Sequence, residues 1–262
     1  MKENIVPSYL PAASVTMKNQ ADGDQVTLFR PYEAFRLAEL EAHAKQNERG
    51  ALLQLGQRCF SGILGAEQDF QKAYDYLKRA AALGVQDAQM LLAAYYISEE
   101  TGVLKRDPQK CIEMLTLAAE NGSWKAMEKL AQAYRAGGNG VTPDHEKSYE
   151  WAVQAERMIR IYWAFYTQPF FVDFDETLKE ILHAHTRISF ALASCHADGI
   201  GTKRDLDAAM QRIDAGEQFV CQATGLAKVP MFEERRKQLQ ARVKKDEARA
   251  EKARKEAEKK KK

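Results

Sequence analysis

Apolar positions in the middle of the chain recur at helical spacing, and then recur again as whole blocks. Ala88, Leu91, Leu92, Tyr95 and Tyr96 follow a three/four rhythm, which places them on one stripe of a helix. A leucine followed by a small residue opens each block: Leu55-Gly56, Leu92-Ala93, Leu130-Ala131 and Leu192-Ala193. Each block continues through one or two glycines (Gly62; Gly102; Gly137 and Gly140; Gly199 and Gly201) to an aspartate and an alanine-rich run. The leucines step by 37, 38 and 62 residues, and Asp69, Asp107, Asp144 and Asp205 step by 38, 37 and 61. Two independent markers thus agree within one residue, and a period of this size marks a solenoid. About 37 residues accommodates two helices of roughly 14 residues and two turns.

Each block reads as helix, loop, helix. The glycines stop the first helix, because glycine enters left-handed backbone conformations without a Cβ clash. The aspartates stand where the second helix begins and can accept hydrogen bonds from its unpaired N–H groups. Pro108, directly after Asp107, suits a first helical position. Alanine pairs such as Ala80-Ala81 and Ala118-Ala119 permit close approach of a neighbouring helix, with Gly84 and Gly122 ending the run. Leu55, Leu92, Leu130 and Leu192, with Tyr96 and Tyr134, are the expected buried positions, Tyr134 deep enough for truncation to leave a cavity.

These residues resemble the Sel-one-like repeat family, relatives of the tetratricopeptide repeat. Leu55-Gly56, Gly62, Asp69, Lys72-Ala73, Tyr76, Ala80-Ala81 and Gly84 follow that family's pattern, as do Gly137, Gly140-Val141, Asp144, Lys147 and Trp151. The resemblance spans about residues 49–216. Cys59 and His196 stand where an aromatic is usual, and Glu99 where a glycine is usual. The resemblance implies an all-α fold, a right-handed α/α solenoid of about four helix-turn-helix repeats that scaffolds protein assemblies, with no catalytic residues.

The flanks depart from the period. Residues 1–30 contain Pro7 and Pro11 and alternate around Asp22-Gly23-Asp24, as an extended arm or small hairpin would. Across 31–48, Tyr32, Phe35, Leu37, Leu40 and Ala44 fit an amphipathic capping helix. The repeat region runs over 49–228. Its third step carries about 24 additional residues, centred on 157–183, which lengthen the third junction as a helix end, a loop and a newly capped helix. Tyr162, Trp163, Phe165, Tyr166, Phe170, Phe171 and Phe174 put seven rings within 13 residues there. Such rings either fill the gap in the period or form a partner-binding patch, since aromatics are enriched at interface centres. Trp163, Phe165, Tyr166, Phe170, Phe171 and Phe174 are the candidate binding residues.

Charge divides the chain. From Glu233 onward it carries 14 Lys/Arg against 7 Asp/Glu, a net of +7, while the remainder carries a net of −5. The segment 229–262 is expected to dock through Phe232, Leu239 and Val243 and then to project as a basic helical tail. Lys259–Lys262 make either a solvated tail or a contact for nucleic acid, ribosome or acidic lipid. The chemistry-bearing residues give no site. Cys59, Cys111, Cys195 and Cys221 form no CxxC pair and read as reduced core thiols. His183 and His185 lie two apart, so on a helix they point to different faces. Gly199-Ile200-Gly201 is a repeat turn with no preceding strand. No enzyme activity, cofactor or metal is expected. No apolar run reaches the length of a membrane span, and no secretory leader is visible, so the expected location is the cytoplasm. The functional expectation is a scaffold or adaptor for one or more partner proteins. The alternatives are a structural subunit or an immunity or regulatory factor using the arm and insert, and, more weakly, a tail-driven nucleic-acid or acidic-membrane binder.

Overall fold

The structure, a computed structural model, describes residues 12–18, 25–137, 141–167 and 175–259. The chain divides into two compact units, residues 1–130 with 137–142 and residues 131–136 with 143–262. The fold is all-α and repetitive, preceded by one antiparallel hairpin of β1 (Ala12–Lys18) and β2 (Gln25–Pro31), in which Val15 pairs with Leu28. Pro7, Pro11 and the Asp22-Gly23-Asp24 cluster lie outside the described residues.

In the first unit a 3-10 turn (Tyr32–Ala34) leads to α1 (Leu37–Lys45), α2 (Arg49–Ser61), α3 (Phe70–Ala82), α4 (Gln86–Ile97) and α5 (Pro108–Glu120). The helix α6 (Trp124–Ala136) follows. Tyr32 and Phe35 precede the capping helix instead of lying on it. The Glu39 carboxylate accepts the Arg36 N–H at 2.7 Å and fixes the start of α1 at Leu37. The turn before it is held by Arg58, buried on α2, which donates to the carbonyls of Phe35 (2.9 Å) and Tyr32 (3.4 Å). The Tyr32 carbonyl also accepts the Phe35 N–H at 3.1 Å, so Arg58 and the turn's own backbone share it. The Tyr32 ring lies against Gly50, where a Cβ would stand 2.3 Å from a ring carbon. Leu40, Leu52, Leu55, Leu77, Ala80 and Leu92 form the core between these helices.

One clamp recurs in every repeat. The backbone N–H of Asp69, Asp107, Asp144 and Asp205 donates to the carbonyl of Cys59, Tyr96, Tyr134 and His196 at 2.7–2.8 Å. The four side chains then accept the N–H of Lys72, Lys110, Lys147 and Ala208 at 2.8–3.1 Å. Each aspartate thereby ties the end of one helix to the start of the next. Hydrogen bonds from the backbone N–H groups of Lys72 and Lys147 hold the Asp69 and Asp144 carboxyls below their ordinary value.

The lysine of the clamp explains where the repeat tyrosines sit. Lys110 and Lys147 reach their aspartates (3.5 and 3.0 Å) and also pass over the rings of Tyr96 and Tyr134 (5.7 and 5.5 Å). Tyr96 and Tyr134 are therefore half-buried, and Tyr134 is not the deep core ring that the pattern suggested. In α4 it is the next-door Tyr95 that is buried, its hydroxyl donating to the Phe70 carbonyl. The fourth repeat has Ala208 and His196 at the lysine and tyrosine places, and Tyr149 fills the role, edge-on to the imidazole with its hydroxyl 3.1 Å from Nε2.

Glycine matters most at the loop turns. Gly62 ends α2 at φ 66°, in the left-handed region. Where Glu99 replaces the usual glycine, α4 instead ends through Ser98 in extended conformation. Gly137 and Gly199 follow directly on α6 and on the first helix of the fourth repeat, also at positive φ; Gly140 lies outside the described residues. The conserved-spacing leucines Leu55, Leu92, Leu130 and Leu192 are all buried.

The second unit holds α7 (His145–Tyr166), α8 (Asp175–Asp198), α9 (Leu206–Thr224) and α10 (Pro230–Lys259). The helices α3, α5 and α6 have 13 residues each, whereas α7 has 22 and α8 has 24. The additional residues at the third junction extend the two repeat helices that flank it, and the capped helix expected there is the first helix of the fourth repeat. The proximal part of α10 docks through Phe232 and Leu239, both fully buried. Phe232 comes so close to α9 that a Cβ on Gly216 would lie 2.8 Å from its ring. Arg236 binds Asp214 and Glu217, and Arg242 binds Asp198. The hydrogen bond from Arg236 holds the Glu217 carboxyl below its ordinary value. From Lys244 to Glu258 nearly every residue is exposed, and Lys255–Glu251 and Arg254–Glu258 pair along the helix. Lys260, Lys261 and Lys262 lie outside the described residues.

Candidate functional site

The lengthened helices carry the most distinctive surface. Tyr162, Trp163, Phe165 and Tyr166 are half-buried on the last turns of α7, beside the exposed Ile161. Phe170, Phe171 and Phe174 lie outside the described residues. The ring of Trp163 meets Phe219 of α9 edge-on at 5.7 Å. Phe165 and Tyr166 stand edge to face at 5.4 Å, and Tyr162 and Tyr166 lie tilted by 45° at 6.1 Å.

Phe219 is the hub of this region. His185 of α8 stacks on it at 3.9 Å, and the Arg160 guanidinium lies 5.3 Å from its ring centre. One helical turn before Arg160, the buried Glu156 carboxylate takes Arg212 of α9 at 2.5 Å and Arg160 at 3.7 Å. A carboxylate removed from water requires such charged partners. The His185 ring is fully buried, and burial, with Arg160 nearby, pushes its pKa down to about 3. It is therefore neutral at physiological pH. Its Nδ1 lies 3.4 Å from the Ser189 hydroxyl, while Nε2 has no hydrogen-bond partner. His183, two residues earlier, is exposed, so the two imidazoles do not converge. Among the described residues no three of His, Cys, Asp and Glu are placed to hold a metal.

The cysteines are all free; Cys59 and Cys195 are buried, and burial pushes their thiols up, as it does that of the half-buried Cys111. Sequence reasoning singled out Trp163, Phe165 and Tyr166 of α7 but not Phe219, Glu156, Arg160 or Arg212. The available signal was the i,i+4 spacing of Glu156 and Arg160; nothing in the pattern tied either to a residue on α9.

The Sel1 repeat family profile matches residues 50–85, 86–123, 124–158 and 189–211. The chain belongs to the Sel1 repeat family. The first two Sel1 matches coincide with α2–α3 and α4–α5. Between the last two matches lie the final eight residues of α7, which carry the aromatic surface, and the proximal half of α8. No curated protein matches the chain. Among solved structures it is similar to a Sel1 repeat protein from Oxalobacter formigenes (21% identity over 70% of this chain and 78% of that one, TM-score 0.43). It is similar also to c5321, a protective antigen of uropathogenic Escherichia coli strains with an SLR fold (20%, 80% and 56%, TM-score 0.33). A third is an immunity protein from Pseudomonas aeruginosa (13%, 74% and 76%, TM-score 0.35). No helix among the described residues is long and apolar enough to cross a membrane.

Proposed function

We propose that this Sel1-repeat chain is a non-catalytic scaffold or adaptor that binds a partner protein, with the distal part of α7 as its principal contact. The observation that carries this reading is the lengthening of α7 beyond the 12- and 13-residue helices α2 to α6, with Trp163, Phe165 and Tyr166 half-buried on the added turns. Filling a gap in the period would bury those rings. Rings that keep part of their surface in water can be desolvated by a partner, and an anchor of this kind contributes about 2 kcal/mol or more to an interface. Distal α10 supports a lesser role, because two ion pairs along the helix use part of its charge, and exposed charges chiefly set on-rates and are screened by salt.

The test is capture of partners from a lysate by the full chain, by Trp163→Ala/Phe165→Ala, and by a chain ending at Val243. Capture is expected to survive moderate salt and the truncation and to drop sharply in the double variant. If the double variant folds and captures the same proteins in the same amounts, the aromatic contact is wrong. Loss of every partner on truncation, reproduced by nuclease treatment, would move the function to the tail.

A further inference from the structure

Three ionisable side chains meet beneath the rings of α7 and α9, and their charges do not balance. Glu156 is 9% exposed and already takes Arg212 at 2.5 Å, while Arg160 stands farther off at 3.7 Å with 46% of its side chain in solvent. One carboxylate serves two guanidinium groups, and the neutral His185 adds no charge of either sign. The surplus positive charge sits at Arg160, over the Phe219 ring. An arginine lying on an aromatic ring has its planar fork oriented before anything binds, and its N–H groups remain available along the edge. The half-exposed Trp163, edge-on to the same Phe219, supplies apolar surface next to that fork.

We propose that Arg160, Trp163 and Phe219 form a docking site for a partner-protein segment that presents an aspartate or glutamate beside an apolar side chain. This rests on the protein-binding reading above and names the chemistry the partner brings. The incoming carboxylate takes the outward N–H groups of Arg160 in the two-pronged geometry that guanidinium favours. The apolar neighbour covers Trp163 and excludes water from the pair. A nucleic-acid strand is a poorer fit, because a phosphate backbone is held by rows of cations, and here one surplus charge is set among rings.

The experiment uses the immobilised full-length chain and a library of randomised short peptides. The enriched sequences should place Asp or Glu next to an aromatic or branched aliphatic residue. A labelled peptide from that pool should lose about tenfold in affinity against Arg160→Gln, lose as much against Trp163→Ala, and recover partly with Arg160→Lys. Replacing the peptide's acidic residue by its amide should cost as much as Arg160→Gln and no more when the two are combined. The Trp163 indole N–H resonance, assigned with Trp163→Phe, should shift on binding. Circular dichroism melts establish that the variants are folded. The proposal is overturned if no peptide is enriched, if the enriched peptides lack acidic residues, or if Arg160→Gln binds within about twofold of wild type. Peptides that bind while leaving the Trp163 indole unmoved would overturn this site and leave the broader protein-binding reading to the lysate capture.

Discussion

Helices α2, α3, α5 and α6 are 13 residues long and α4 has 12, and the core of the first unit is built mostly of leucines and alanines around the buried Arg58, Gln54 and Gln89. Helices α7, α8 and α9 run to 22, 24 and 19 residues and enclose Glu156, His185 and Ser189 among their rings. The short helices need only a narrow seam of small side chains, because a 37-residue period leaves room for little else. Longer helices extend past that seam, and the added turns must find new contacts. Here Arg160, on the added turns of α7, reaches back to the buried Glu156 and lies over Phe219, on which His185 stacks. Buried polar groups require specific partners: in the first unit Arg58 and Gln89 find backbone carbonyls, whereas in the long helices the buried carboxylate of Glu156 finds arginine side chains.

The largest effect is expected at the base of the long helices. Gly201 has φ 69°, and a Cβ there would stand 1.9 Å from the His145 carbonyl oxygen at the start of α7. Gly201→Ala should cost on the order of 3 kcal/mol or more in a denaturant melt, since a backbone atom cannot yield as a side chain can. A wild-type midpoint would show that the α7 start gives way easily. In the short repeats, Ala118 is fully buried on α5, and Ala118→Leu should overpack the seam by roughly 1–3 kcal/mol.

The third prediction separates the regions by pH. The folded-state pKa of His185 lies near 3, far below the ordinary 6.5. Between those values the unfolded chain binds a proton that the folded chain refuses. Stability from this group is thus complete above pH 6.5 and falls as the pH drops toward 3, by about 1.4 kcal/mol per pH unit. Wild type should lose about 2 kcal/mol between pH 6.5 and 5 from this source, and His185→Phe should remove that part of the slope. Equal slopes in thermal melts of the two proteins would show that the ring is hydrated. The smallest effect belongs to the repeated clamp: Asp107→Ala should cost about 1 kcal/mol, as loss of an N-cap does. The same melt should show Tyr134→Ala costing less than a buried ring would, because Lys147 and solvent already cover Tyr134.

The short repeats are legible in the sequence for a physical reason. Asp69, Asp107, Asp144 and Asp205 perform one local task that only a few side chains can, so they recur at a visible period. Leu55, Leu92, Leu130 and Leu192 likewise mark one packing position. The depth of Tyr134 is not legible, because its half-exposure depends on Lys147 arriving from the following helix. The lengthening of α7 and α8 is obscured by Pro169 and the acidic residues near it, which read as a junction rather than as the ends of two extended helices. The Glu156–Arg160–Arg212 group is harder still, since Arg212 lies 56 residues from Glu156 and no local pattern announces the pairing. Of the candidate contact residues, Trp163, Phe165 and Tyr166 stand out by composition alone, whereas Phe219 acquires its place only through the tertiary packing of α9 against α7 and α8.

The clamp between paired helices has one more consequence. Its hydrogen bond spans nine residues from Asp205 back to His196 and eleven from Asp107 back to Tyr96, with nearly the same N–O distance. The loop can therefore change length while the helices it joins keep their register. For anyone grafting a recognition sequence onto this scaffold, those loops are the permissive sites: residues can be added between the carbonyl and the aspartate, and the geometry of the repeat is restored at the next helix start.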